Sequence, residues 1–156
     1  MTASQDDMTS ENRYSGGCQC GAVRFSIKRF GKASICHCRM CQKAFGGFFA
    51  PLVEVDEIIW TRGTRAIFHS SQTNQRGFCS SCGTPLTYET DESIEIAIGA
   101  LDNPDVAPPV VQVNAHDQRP CFAGLSDLPE KPLDQIRVDK AWNSSIVSNQ
   151  HPDHDT

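Results

Sequence analysis

The sequence predicts a mainly β fold of short antiparallel strands with brief helical turns, on three observations. Runs rich in β-branched and aromatic residues alternate apolar with polar positions, turn-forming residues break them at short intervals, and no helical period persists beyond two or three turns. A chain of 156 residues fits one such domain around one core.

The first residues are polar, with Asp6, Asp7, Glu11 and Asn12 and little to bury, so residues 1–13 are expected as a flexible arm and residues 14–142 as the domain. Val23, Phe25 and Ile27 alternate with Arg24, Ser26 and Lys28, the period of a half-buried strand. Residues 33–35 lead into a cysteine cluster, and residues 39–45 read as a helical turn ended by Gly46 and Gly47. Residues 48–55, 58–61 and 66–70 read as antiparallel strands separated by polar turns and Gly63. Residues 76–86 carry a cysteine pair in a turn, and Ile94, Ile96 and Ile98 alternate with Glu95 and Ala97 in another strand. A proline-punctuated loop over 102–109 precedes a last strand at 110–113, and residues 143–156, polar with His151, Pro152 and His154, are expected as a disordered tail.

Charge narrows the partners. Fourteen basic against nineteen acidic side chains leave a net charge of −5, the opposite of the basic footprint that phosphate backbones require, so no nucleic-acid partner is expected. No apolar run approaches the roughly 20 residues that span a bilayer, and the N-terminus lacks the basic start and apolar middle of a signal peptide. No membrane partner and a cytoplasmic location are the expectations.

Eight cysteines in such a chain are bridged, metal-bound or reactive, and a reducing compartment disfavours bridges. Seven fall in three clusters: Cys18 with Cys20, Cys36 with Cys38 and Cys41, and Cys79 with Cys82; Cys121 stands apart. Cysteines two or three residues apart can aim both sulfurs at one zinc ion, which takes four ligands in a tetrahedron. Cys79-Ser80-Ser81-Cys82-Gly83 has that form, and Cys18-Gln19-Cys20-Gly21 offers a second half-site followed by the same glycine, whose freedom at positive φ lets the turn close. Two such pairs make one closed zinc site.

Cys36-His37-Cys38-Arg39-Met40-Cys41 supplies three thiolates, one short of a filled tetrahedron. Structural sites close the fourth position with protein, whereas catalytic sites leave it for water or substrate. Three thiolates leave a zinc centre formally at −1, better suited to receiving a soft thiol than to strong Lewis-acid work. His37, between two ligands, is expected to point away from the metal as an outer neighbour or surface group. Cys121 stays open as a fourth ligand, a buried small residue or a reactive thiol.

These motifs resemble those of the glutathione-dependent formaldehyde-activating enzyme family. The resemblance rests on Gly16-Gly17-Cys18-Gln19-Cys20-Gly21-Ala22-Val23-Arg24-Phe25, on Cys36-His37-Cys38-Arg39-Met40-Cys41 and on Gly77-Phe78-Cys79-Ser80-Ser81-Cys82-Gly83, with Gly99-Ala100-Leu101-Asp102-Asn103-Pro104 and His116 following. It implies an Mss4-like fold of twisted antiparallel β-sheets with zinc-binding cysteine knuckles. It implies a structural zinc on Cys18, Cys20, Cys79 and Cys82 and a catalytic one on Cys36, Cys38 and Cys41. The activity implied is a carbon–sulfur lyase run in the synthetic direction, condensing glutathione with formaldehyde to S-(hydroxymethyl)glutathione. Where the family tends to place tryptophan after a late proline, this chain has Cys121 after Pro120, which points to an altered substrate pocket.

The expected partners are therefore a small thiol and an aldehyde, with Arg39, Lys43 and Arg76 as the cations that would bind glutathione carboxylates. A non-catalytic zinc-stabilised module that binds a protein partner is the alternative, its signature an exposed apolar patch at Phe45, Phe48 and Phe49. A thiol reductase built on Cys121 is a third, with Arg119-Pro120-Cys121-Phe122 a poor match to reductases of similar fold.

Overall fold

The computed structural model describes residues 13–156, so the arm expected over residues 1–13 lies, except for Arg13, outside the described residues. Strands β1 (Tyr14–Gly17) and β2 (Arg24–Ile27) form a hairpin across the first cysteine pair. Strand β3 (Phe30–Cys36) runs into helix α1 (Arg39–Phe45), and β4 (Ala50–Val55) returns antiparallel to β3. Strands β5 (Ile58–Arg62), β6 (Ala66–His69), β7 (Gln75–Phe78), β8 (Pro85–Glu89) and β9 (Ile94–Ala97) follow, then β10 (Val111–Val113) and helix α2 (Leu133–Ser145).

The strands make two sheets. One has three strands in the order β1-β2-β5; the other has seven, in the order β10-β3-β4-β9-β8-β7-β6. Every pairing is antiparallel except that of β10 with β3. Phe25, Ile27, Val53, Leu86 and Ile96 are fully buried in the main core, where Phe25 meets Trp60 edge to face at 5.9 Å. Ala50 and Leu52 of β4 pack with Cys36 and Cys41 in a second, smaller apolar cluster. This cluster fixes the floor beneath the middle cysteines.

Helix α1 ends where expected: Gly46 adopts φ of 62° and its N–H reaches back to the carbonyls of Gln42 and Lys43. Three features depart from the sequence expectation. Arg24, read as an outward-facing strand residue, is only 2% exposed, because Asp102 neutralises it inside the protein. Strand β10 pairs in parallel, which requires a long connection and leaves no mark in the local pattern. Helix α2 spans 13 residues, longer than any helix expected, and buries none of them; without an apolar stripe it has no periodic signature.

Helix α2 also crosses the boundary expected at residue 142. The segment beyond it returns to the first cysteine pair, where the His151 N–H donates to the Gln19 carbonyl at 2.7 Å and Arg24 lies 3.6 Å from Asp155. Among the described residues no helix is long and apolar enough to cross a membrane.

Candidate metal centres

Two β-hairpins meet at the first sulfur cluster. Cys18 and Cys20 lie in the β1–β2 turn, Cys79 and Cys82 in the β7–β8 turn, and the four sulfurs lie within 4.8 Å of one another. The turns share one backbone pattern. The Cys18 N–H donates to the Val23 carbonyl and the Cys79 N–H to the Thr84 carbonyl, both at 2.9 Å, while Gly21 and Gly83 bond back to Cys18 and Cys79. Both glycines sit in the left-handed region, at φ of 76° and 77°, as the closing turns demand. A side chain on Gly21 would also collide with the His151 ring.

Sulfurs held tetrahedrally at about 2.3 Å from one ion stand about 3.8 Å apart. Cys18 to Cys20 measures 3.6 Å and Cys20 to Cys79 measures 3.9 Å. The donor set and its spacing therefore fit a bound zinc ion.

The second cluster is built from one corner of the large sheet. Cys36 ends β3, Cys38 caps the N-terminus of α1 with its sulfur accepting from the Cys41 N–H, and Cys41 sits in the first helical turn. Their sulfurs also lie within 4.8 Å of one another. No histidine, fourth cysteine or carboxylate among the described residues joins the trio. His37 is fully buried and directed elsewhere, with Nε2 2.9 Å from Gln112 Oε1 and its ring edge-on to Phe122 at 4.7 Å. It is an inward residue, not a surface one, and Gln42 locks its backbone by donating to the His37 carbonyl at 2.6 Å. Cys121 is exposed on the helical turn Pro120–Asp127, and His116 is exposed beside Asp117.

Each sulfur of the trio accepts a hydrogen bond from a nitrogen donor. Asn114 Nδ2 donates to Cys36 at 3.3 Å, the Cys41 N–H to Cys38 at 3.4 Å, and Arg76 Nη2 to Cys41 at 3.4 Å. Arg76 is buried, lies over the Tyr88 ring at 4.9 Å, and keeps Nη1 without an acceptor. A buried cation with a spare donor beside three sulfurs fits a site that holds negative charge.

Burial pushes the Cys41 thiol up to about 12, against the pull of Arg76. Burial opposes ionisation of Cys38 too, yet hydrogen bonds from the Cys41 backbone and side chain hold it below its usual value. The four-sulfur site divides likewise. Despite burial, hydrogen bonds from Thr84 draw Cys82 down to about 6; Cys20, despite a favourable bond from Ala22, is raised to about 12 by Cys18 and Cys82. Crowded thiols split this way because neighbouring thiolates repel, and a divalent cation among them lets all of them ionise.

Beside the trio lies a cleft of about 390 Å³ lined by Arg39, Met40, Lys43 and Ala44 of α1, Phe68 of β6, Ser70 just beyond that strand, and Arg76. The three cations singled out in the sequence thus share one cleft. Of the three phenylalanines suggested as an exposed patch, only Phe48 is exposed; Phe45 packs on the core and Phe49 on Phe122. Asn114 and Tyr88 escaped the sequence reading. Only the asparagine left a trace, as a residue tolerant of positive φ directly after a strand.

Fold and sulfur clusters together define a mainly β protein carrying cysteine knuckles of the metal-binding kind. The pattern of the glutathione-dependent formaldehyde-activating enzymes matches residues 13–117, and the chain belongs to that family. Among solved structures, the crystal structure of a Rhodobacter sphaeroides protein aligns with a TM-score of 0.50 at 21% identity, covering 64% of this chain and 99% of that one, a likeness of fold alone. No curated protein matches the chain.

Proposed function

We propose that this protein adds a small thiol, glutathione, to an aldehyde such as formaldehyde, yielding S-(hydroxymethyl)glutathione, a carbon–sulfur lyase acting in the synthetic direction. The observation that carries the reading is the shared role of Arg76, which lines the cationic cleft and donates to the Cys41 sulfur at 3.4 Å. A ligand anchored in that cleft is thereby delivered beside the one cluster that has a ligand position to spare.

Cys18, Cys20, Cys79 and Cys82 would hold a structural zinc ion, and Cys36, Cys38 and Cys41 a second. Zinc on the trio would favour the thiolate form of an incoming sulfur at neutral pH. Arg39 and Lys43 bind the carboxylates of the tripeptide, charge-assisted contacts that orient it from one side of the cleft. Met40, Ala44 and Phe68 supply the apolar wall that excludes water around its backbone. In the addition a carbon–sulfur bond forms, the carbonyl π bond opens, and the thiol proton ends on the new hydroxyl; nothing is oxidised or reduced.

Exchange spectroscopy on labelled formaldehyde with and without glutathione measures adduct formation above the spontaneous rate. Wild type is expected to accelerate it only when glutathione is present, and Cys38→Ser to lose the acceleration while retaining the fold. Acceleration independent of glutathione, or none at all, overturns the proposal.

A further inference from the structure

The two sulfur clusters differ in what supports them. In the four-cysteine site Cys18 accepts from the Val23 N–H at 3.3 Å and Cys82 lies 3.1 Å from the Thr84 hydroxyl, both neutral partners. In the trio one of three partners is a buried guanidinium. Zinc with three thiolates carries −1, and a fourth thiolate arriving as substrate would take the centre to −2. Arg76 returns one unit of positive charge at the sulfur of Cys41.

The second unusual support is Asn114. Among the described residues it alone, apart from glycines, has a positive φ, at 53°. The parallel register of β10 sets Val113 opposite Cys36, and the His37 N–H donates to the Val113 carbonyl at 2.9 Å. The left-handed turn at the next residue then folds the Asn114 amide back onto the Cys36 sulfur. A strained backbone and a buried, partly unpaired cation are both costly, and both end on ligand sulfurs.

We propose that Arg76 and Asn114 are positioning residues that set the affinity and charge of the three-thiolate centre, making it a metal site able to accept one more thiolate. The inference rests on the trio being a metal centre, as the proposed function requires. It extends that reading by assigning the hydrogen-bond donors that distinguish the open site from the closed one.

The test uses cobalt(II) alone, titrated into metal-free protein and followed by thiolate-to-cobalt charge-transfer absorption with a competing chelator, in the absence of glutathione or aldehyde. Wild type is expected to bind two ions. Arg76→Met and Asn114→Gly, which loses the amide but keeps the backbone conformation, should weaken one site by about 10–100-fold and shift its absorption, leaving the other unchanged as an internal check on folding. Arg76→Lys should recover most of the loss. Unaltered binding in Arg76→Met and Asn114→Gly, or equal weakening of both sites, overturns this inference while the metal-centre reading stands. A wild type that binds one ion overturns both.

Discussion

Arg24 grips Asp102 through both carboxylate oxygens, at 2.8 and 2.6 Å, joining strand β2 of the small sheet to the turn beyond β9. Both side chains are largely buried, so each ion depends on the other for solvation it has lost. Asp102→Asn leaves a buried guanidinium with only the exposed Asp155, 3.6 Å away, as counter-ion and should cost about 3 kcal/mol, read from urea unfolding. Burial alone would raise the Asp102 carboxyl, but bonds from Arg24 and Ser15 hold it below the usual carboxylate range. A lowered carboxylate stabilises fully above its unfolded value, and the contribution fades as pH falls through the native one. Wild type should therefore lose stability in acid more steeply than Asp102→Asn, and parallel pH profiles would contradict the assignment.

Metal removal should act on the two clusters unequally. The four-cysteine site ties two hairpins distant in sequence, so stripping it should lower the unfolding temperature and loosen β1–β2 from β7–β8. The trio lies within one β3–α1 segment and should release its ion first, with little loss of fold. Metal content followed against circular dichroism during chelator titration separates the two; simultaneous loss of both ions and of structure would refute the distinction.

In the cleft, charge should govern glutathione binding. Arg39→Glu with Lys43→Glu should raise KM for glutathione by about tenfold or more, the worth of a charge-assisted hydrogen bond, with a smaller change in kcat. The increase should shrink at high salt. An unchanged KM would place the tripeptide elsewhere.

Gly83 offers a clean test of the knuckle backbone. No atom beyond its own chain neighbours lies within 4 Å of where its Cβ would stand, so Gly83→Ala meets only the left-handed conformation at φ of 77°. Thermal unfolding should report a loss of about 1–2 kcal/mol, and a neutral result would mean the turn relaxes to another conformation.

Local signals proved readable where the chemistry was local. The glycine after each cysteine pair marked a turn that does adopt positive φ, Gly46 marked the end of α1, and the alternation through Ile94 and Ile96 marked β9. Arg24, the parallel pairing of β10 and helix α2 went unread for different reasons. Arg24 is buried because of a partner 78 residues away, β10 is defined by its register on β3, and α2 packs no apolar face that a period could reveal.

From its residues alone this chain declared which sulfurs belong together in pairs and trios, because ligands two or three positions apart are held near one another by the backbone itself. Folding decided that Cys20 meets Cys79 across 59 residues, that Arg76 arrives at Cys41, and that Asn114 turns onto Cys36. Those meetings depend on strand order and register across the sheets, which arise from the packing of the whole core and are written in no single stretch of chain.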